Sequence, residues 1–233
     1  MTNPPPSQAL LGRYTLRLLV PSDLAALMAL RQQVLAGLPL ADLYVREADE
    51  PAFVARHLGP SGATFGVFEG EALAAYAMLG LPQEDAQDNL ARWLPTSGHD
   101  DPARCAVLAS CMVHAAHRGQ GLQRVLLAAR FALALERGRP LCVAAASLHN
   151  HTSRRNLMRE GMRIAWTGEL MGLQRQLLAV HLLQAWRFAA APREAVHCLD
   201  FERQHALTNQ GLFGIEPHDG SHADAIIFAA REA

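Results

Sequence analysis

A short basic segment with two glycines, residues 118–124, has the residue types that bind an anionic group. Gly119 and Gly121 carry no Cβ, so an anion can approach their backbone closely. Arg118 and Arg124 lie on either side and add full positive charges. This combination predicts a binding site for a phosphate or pyrophosphate group.

Hydrophobic patterning predicts the elements on both sides of this segment. The apolar run at 105–113 precedes it and indicates a strand. Apolar residues then recur at intervals of three and four from Leu122 to Leu133, the period of an amphipathic helix. The first N–H groups of a helix have no acceptor inside it and lie at the positive end of its dipole. A strand–loop–helix junction therefore favours anion binding.

A second segment, residues 141–162, repeats the order of strand, turn and helix. Asn150 is a residue type that caps the start of helices, and Gly161 is one that follows their end. Local structure alone therefore explains both residues, and an ordinary strand-to-helix turn also explains the glycine loop. Neither of these local explanations accounts for the occurrence of two such segments in this order, joined by one helix.

Together the two segments resemble the acetyl-CoA-binding region of the GNAT family, the Gcn5-related N-acetyltransferases. The family's loop motif, Gln/Arg-x-x-Gly-x-Gly/Ala, falls on Arg118, Gly121 and Gln123, with Gln123 in place of Gly or Ala. The Asn and Gly of its second segment fall on Asn150 and Gly161, eleven residues apart.

The resemblance implies that acetyl-CoA is the cosubstrate. Strands 104–114 and 141–148 are expected to splay apart and take the pantetheine between them, while residues 118–124 bind the pyrophosphate. The residues expected to bind acetyl-CoA are Met112, Val113, Arg118, Gly119, Gln120, Gly121, Leu122, Gln123, Arg124, Asn150, Ser153 and Asn156.

The resemblance leaves the catalytic groups incomplete. Many family members have a Tyr seven residues after the Asn, where it protonates the leaving thiolate, and here that position is Leu157. We expect His149, at the end of the second strand, to be the general base; His114 and the acids of the loop at 82–103 are alternatives. Cys111 as an acyl-carrying nucleophile stays open, although the family transfers the acetyl group directly.

The acceptor site is predicted only by region, because residues 38–62 cover the acceptor in the resembling family. Tyr44 and Arg46 either contact the acceptor or belong to a packed loop. Trp93 and Leu94, in the polar loop at residues 82–103, either line a substrate entrance or pin that loop.

The predicted elements of residues 13–183 follow the order β-α-α-β-β-β-α-β-α-β-β, which is that of the resembling family. It implies an α/β (α+β) GNAT fold: a central mixed, largely antiparallel twisted sheet of about seven strands flanked by helices, with a C-terminal α/β extension. We expect residues 1–12 to be a disordered leader, 13–183 the N-acetyltransferase domain and 184–233 a C-terminal appendage.

Sequence signals also place individual elements. Ser22 is the predicted N-cap of the first helix. In the appendage, residues 185–192 are predicted as a linker or short helix, 199–210 as a helix and 225–230 as a strand.

Histidine and cysteine spacing predicts no metal site. His149 and His151 form a close pair, as do His114 and His117, but no carboxylate accompanies either pair at ligand spacing. The four cysteines include no CxxC pair, so the usual zinc spacing is absent.

Charge and hydropathy narrow the partners and the compartment. The net charge is -1, so no global field recruits nucleic acid or membrane. Residues 1–8 are polar and Pro-rich, unlike a signal peptide. The sequence has no run of about 18 uncharged apolar residues, so it predicts no membrane span. We expect a cytoplasmic protein with reduced thiols, acetyl-CoA or CoA and an amine acceptor as partners, and a homodimer through the appendage as an open possibility.

The predicted function is acetyl-CoA-dependent transfer of an acetyl group to a primary amine of a small molecule or peptide. The alternative is a catalytically impaired CoA-binding regulatory module of the same fold, which Leu157 favours. A Rossmann-type nucleotide-binding protein ranks last, because Arg124 occupies the position of that motif's third glycine.

Overall fold

The strand–loop–helix junction predicted around the glycine loop is present in the structure. The structure is a computed structural model that describes residues 12–45, 47, 49–95, 101–217 and 224–232. The described residues form ten strands and five α-helices. They belong to two compact units, residues 1–82 with 106–139 and residues 83–105 with 140–233. The predicted leader, except Gly12, and the acceptor candidate Arg46 lie outside the described residues.

The first unit is an antiparallel sheet with the order β1-β2-β3-β4 and three helices. Its strands are β1 (Tyr14–Leu18), β2 (Gly62–Glu69), β3 (Ala72–Gly80) and β4 (Cys105–Val113). Its helices are α1 (Leu24–Ala36), α2 (Glu50–Arg56) and α3 (Leu122–Glu136).

The core of the first unit lies between α1 and the sheet. Leu27, Leu30 and Val34 repeat at helical spacing and pack in one buried cluster with Tyr76 and Met78 of β3. Burial of these apolar side chains is the main stabilising contribution that positions α1 on the strands.

The second unit has the strand order β5-β7-β6-β9-β10-β8, and its described pairings are antiparallel. Its strands are β5 (Leu141–Ser147), β6 (Arg163–Leu170), β7 (Leu173–His181), β8 (Phe188–His197), β9 (Leu212–Pro217) and β10 (Ala225–Arg231). Its helices are α4 (His151–Arg159) and α5 (Phe201–Asn209).

The element order predicted for residues 13–183 is confirmed from β1 to β7, and so is the fold class. The strand count is larger than about seven, because β8, β9 and β10 all come from residues 184–233. None of the described helices combines the length and the apolar character needed to cross a membrane.

The prediction for residues 185–192 is wrong from Phe188 onward, since 185–187 have no regular structure and 188–192 form a strand. The alanine-rich run that suggested a linker or short helix forms the first half of β8, which pairs with β10 at Val196 and Ile226. Pairing with a distant strand overrides the local helix preference of alanine. Strand β9 was not predicted, whereas the predicted helix and last strand appear as α5 and β10.

The predicted N-cap of the first helix is also wrong. A 3-10 turn at Pro21–Asp23 precedes α1, so Asp23 rather than Ser22 is the N-cap residue. The Asp23 carboxylate accepts hydrogen bonds from the Arg17 guanidinium at 2.7 Å and from the Val20 N–H at 2.9 Å. These contacts fix the turn and move the start of the helix to Leu24.

Residues 184–233 continue the sheet of the second unit. Strand β9 pairs with β6 at Gly214 and Ile164, and the Thr208 hydroxyl of α5 accepts a hydrogen bond from the Thr167 N–H at 3.1 Å. The division at residue 183 therefore stays a prediction about which residues serve acetyl transfer, not about where one sheet ends.

Candidate active site

The glycine loop lies between β4 and α3 with its backbone open to solvent. A 3-10 turn at Ala115–His117 follows β4, and Gly121 is the N-cap residue of α3. Gly119 and Gly121 have φ of +77° and +73°, the left-handed region, and no atom lies within 4 Å of a Cβ built on either. Glycine therefore supplies both the conformation and an unobstructed approach to the backbone.

Both arginines of the loop are exposed, while the helix behind them is anchored in the core. The Arg118 Nε donates to the Val113 carbonyl at 3.4 Å, which places this guanidinium beside the end of β4. Arg124 lies in the first turn of α3, where its N–H donates to the Gly121 carbonyl at 3.0 Å. Leu122 is buried and fixes the start of the helix. Positive charge and the helix N-terminus thus face the same solvent region.

The predicted main-chain donors lie at the end of β4. Met112 pairs with Tyr76 of β3 and Val113 pairs with Ala75. Met112 is buried and Val113 half-buried, so this end of β4 is held on one side by β3. The first unit therefore brings Met112, Val113 and residues 118–124 together in one continuous strand–loop–helix segment.

Arg130 fastens the middle of α3 to the strands. The register of β3 and β4 shifts beside Met78, and the buried Arg130 guanidinium donates there to the carbonyls of Met78 at 3.3 Å and Ala109 at 3.5 Å. Its Nε also donates to the Leu126 carbonyl at 3.2 Å. A buried cation thus satisfies carbonyl oxygens at an irregular point of the strand pairing.

The second unit holds the second predicted segment as a capped helix. The Asn150 Oδ1 accepts a hydrogen bond from the Ser153 N–H at 3.1 Å, so both residues serve the start of α4. Gly161 follows the end of α4 with φ of +92°. Asn156 is half-buried on α4. Their predicted contact with pantetheine is not tested by this geometry and stays a prediction.

The predicted bases occupy different surroundings. His149 is exposed in the turn between β5 and α4, two residues after β5 ends, and its N–H donates to the Ser147 hydroxyl at 3.1 Å. The His114 Nδ1 accepts from the Ala116 N–H at 3.2 Å and so caps the 3-10 turn. Asp101 likewise caps a 3-10 turn through the Ala103 N–H at 2.9 Å. His149 is therefore the predicted base whose imidazole faces solvent.

Leu157, at the position of the family's proton-donating Tyr, and Cys111, the candidate nucleophile, both lie in surroundings that disfavour charge. Leu157 is buried in α4 with 4% of its surface exposed. Burial raises the pKa of the Cys111 thiol, and the nearby Arg130 only partly opposes this. The thiolate is the reactive form of cysteine, so these surroundings disfavour an acyl-carrying Cys111.

The structure contains a buried polar network that sequence patterning did not find. The guanidinium of Arg31 is 1% exposed and donates to the hydroxyls of Tyr76 at 2.9 Å and Ser110 at 3.0 Å. It also contacts the Tyr44 hydroxyl and the Glu50 carboxylate. Burial raises the pKa of Tyr76 to about 12. The members of this network come from α1, α2, β3, β4 and the segment before α2, so no local sequence spacing could have revealed the network.

The aromatic acceptor candidates have structural partners. Tyr44 is half-buried against the Arg31 guanidinium, whose carbon lies 4.7 Å from the ring centroid. Trp93 packs on Trp166 with 5.3 Å between ring centroids. This contact holds the loop at its tryptophan, which is the pinning alternative of the sequence prediction.

Comparison with family models identifies the family of this chain. The model of the acetyltransferase (GNAT) family matches residues 33–162, more than half of the chain. The chain therefore belongs to the GNAT acetyltransferase family. No curated protein sequence matches it significantly.

Solved structures share the fold at low identity. A GCN5-related N-acetyltransferase from Kribbella flavida has 18% identity and a TM-score of 0.55, covering 73% of this chain and 99% of its own. The yncA protein from Salmonella typhimurium, solved with its cofactor acetyl-CoA, has 23% identity and a TM-score of 0.54, covering 77% and 98%. The ribosomal-protein-alanine N-acetyltransferase from Brucella melitensis has 18% identity and a TM-score of 0.53, covering 72% and 99%.

Proposed function

We propose that this protein transfers the acetyl group of acetyl-CoA directly to a primary amine of a small molecule or peptide. The observation that carries the proposal is the open glycine loop at the start of α3, with Gly119 and Gly121 in the left-handed region and Arg118 and Arg124 beside them. Family membership supports acetyl-CoA as the cosubstrate. In this proposal the pyrophosphate binds the loop amides and both guanidinium groups.

The reaction needs a polarised carbonyl, an unprotonated amine and a leaving thiolate. In this proposal main-chain groups of Met112 and Val113 orient the thioester and stabilise the oxygen where negative charge develops. His149 removes the amine proton, directly or through water, since imidazole is the side chain most often used for this near neutral pH. Orientation of the amine against the thioester contributes several kcal/mol, as effective-molarity comparisons indicate.

Calorimetry tests the anion site before any acceptor is known. CoA should bind at least about a hundredfold more tightly than pantetheine, which has the thiol arm but no nucleotide or pyrophosphate. Two charge-assisted hydrogen bonds of about 1.5 kcal/mol each account for such a ratio. Rising salt should narrow the difference, because the arginines are exposed. Equal affinity for both compounds, or no binding of either, would refute the proposed site.

A second function is a CoA-binding module that has lost catalysis. The observation that favours it is Leu157, which is buried and carries no proton at the position of the family's Tyr. A thiol-release assay with amines, amino acids and peptides separates the two functions, because only a transferase releases CoA thiol in proportion to an acceptor.

Leu157→Tyr restores the missing hydroxyl, and Leu157→Phe is the control for the added bulk of the ring. Leu157→Tyr and Leu157→Phe both force a larger ring into a buried position, which costs about 1–3 kcal/mol of stability. Only Tyr adds a proton donor. We expect their acetyl-transfer rates to differ by less than about tenfold, because a thiol with a pKa of about 8.5 already leaves readily.

The Tyr/Phe ratio is measured with an acceptor from the thiol-release assay, at equal folded fractions. A ratio of about a thousand or more, within the range of general acid–base catalysis, would mean that the natural chain is an impaired transferase. The CoA-binding module would then become the preferred function.

A further inference from the structure

Three side chains with metal-binding atoms meet in the second unit. His151 begins α4, Cys198 follows β8, and Asp224 precedes β10. One donor atom from each lies within 4.8 Å of the others, and the His151 Nδ1 lies 3.4 Å from the Cys198 Sγ. Among the described residues, these three form the group of histidine, cysteine and acidic side chains whose donor atoms lie this close to one another.

The separation of nitrogen and sulfur matches that of two ligands on one ion. Zinc lies about 2.3 Å from a thiolate sulfur and about 2.0–2.1 Å from an imidazole nitrogen, so two tetrahedral ligands are about 3.5 Å apart. The observed 3.4 Å is close to that value. Asp224 is exposed in the turn just before β10, so its carboxylate has room to rotate toward the other two ligands.

We propose that His151, Cys198 and Asp224 form a binding site for a borderline transition-metal cation, with Zn²⁺ as the ion that fits. Thiolate, imidazole and carboxylate are the three ligand types that zinc uses in proteins, and water completes the tetrahedron. The hard cation Mg²⁺ is excluded, because it prefers oxygen ligands in an octahedron.

Arg154 sets the affinity of this site. Its buried guanidinium donates from Nη1 to the Leu148 carbonyl at 2.9 Å and from Nη2 to the His151 Nδ1 at 2.8 Å. The Nη2 donor therefore occupies the lone pair that zinc needs. Arg154 also donates a side-chain hydrogen bond to the Cys198 sulfur. The ion must displace both contacts and bind beside a positive charge, so Arg154 weakens binding without preventing it.

Binding changes one covalent bond and releases one proton. The Cys198 thiol gives its proton to solvent and the sulfur binds zinc as thiolate, while His151 binds through the lone pair of its neutral ring. No oxidant or reductant takes part. The site is independent of the proposed acetyl transfer, and its failure would leave that proposal untouched.

The ligands give residues 184–233 a role. Cys198 and Asp224 belong to the predicted appendage, whereas His151 lies on α4, beside the cap formed by Asn150 and Ser153. A bound ion would tie both segments to α4 through three ligands.

Cobalt titration tests the site, because Co²⁺ bound by a thiolate shows a sulfur-to-metal charge-transfer band. The full chain, without a histidine tag, is treated with chelator and reductant and titrated with Co²⁺, Zn²⁺ and Mg²⁺. We expect one Co²⁺ per chain with this band, displacement by Zn²⁺ and no response to Mg²⁺.

Variants assign the ligands. Cys198→Ser should abolish the band, and His151→Asn should weaken Zn²⁺ binding about a hundredfold and Asp224→Asn about tenfold, as loss of a ligand predicts. Arg154→Gln should strengthen binding about tenfold, because it removes the competing cation. Cys111→Ser is the matched thiol control and should bind as the natural chain does.

Either of two results would overturn the proposal: absence of the charge-transfer band from the natural chain, or its persistence in Cys198→Ser. If circular dichroism shows that Cys198→Ser does not fold, the half-buried His151 and exposed Asp224 variants decide. Unchanged Zn²⁺ affinity in both refutes the site.

Discussion

Gly121→Asp should lose CoA binding by at least about a hundredfold while leaving the fold intact. Asp places a carboxylate where the pyrophosphate is proposed to bind, which removes at least two charge-assisted contacts of about 1.5 kcal/mol each and adds repulsion. Its cost to folding is limited to the strain of a non-glycine residue at positive φ, since no atom lies within 4 Å of the new Cβ and Asp tolerates the left-handed region better than most residues. Calorimetry with CoA measures the loss.

Gly138→Asp is the matched control for this variant. Gly138 also has positive φ, +69°, and no atom within 4 Å of a Cβ, but it follows the other end of α3. The two variants share backbone strain and added charge and differ in position along the helix. Gly138→Asp should bind CoA about as the natural chain does. Equal affinity of both variants would remove the glycine loop from the CoA site.

Arg31→Met should lower the free energy of unfolding by about 3–5 kcal/mol, the usual cost of removing one partner from a buried charged network. Met keeps much of the volume but leaves the Glu50 carboxylate and the hydroxyls of Tyr44, Tyr76 and Ser110 without their shared donor. Urea unfolding followed by circular dichroism measures the change.

Arg17→Met provides the comparison at an exposed ion pair. Arg17 binds Asp23 at 2.7 Å, with 47% of the arginine side chain exposed. Exposed pairs contribute at most about 1 kcal/mol, so this variant should change stability little. A loss for Arg31→Met no larger than that for Arg17→Met would show that burial does not make the Arg31 network stabilising.

The glycine loop could be predicted because its whole signal is contiguous. Strand, glycines, arginines and helix all fall within residues 105–133, and each part follows a local rule of periodicity or charge. The same locality explains why the element order was correct from β1 to β7.

The Arg31 network and the His151 cluster could not be predicted for the opposite reason. Arg31 meets Ser110, 79 positions away, and His151 meets Cys198, 47 positions away. Contacts of that range are fixed by strand order and register, which a single sequence does not display. The metal prediction rested on close histidine pairs and CxxC spacing, both local patterns, and so did not consider a thiol from the distant turn after β8.

Strand β8 shows how composition can mislead. Its alanines favour a helix locally, and its partner β10 lies some 30 positions further along the chain, Val196 opposite Ile226. Asp23 was missed as the N-cap of α1 because a 3-10 turn, held by the contacts of Asp23 with Arg17 and Val20, precedes the helix.

The anchoring of α3 by Arg130 has a consequence for the entropy of ligand binding. The helix that begins at the glycine loop is fastened at its middle to the carbonyls of Met78 and Ala109 by a buried guanidinium. Its amides are thus ordered when the chain folds, before any ligand arrives. An anion would then bind donors that are already aligned, and the loop would lose little further conformational entropy. For a loop this short, this preorganisation would set the affinity for the anion more than the number of contacts does.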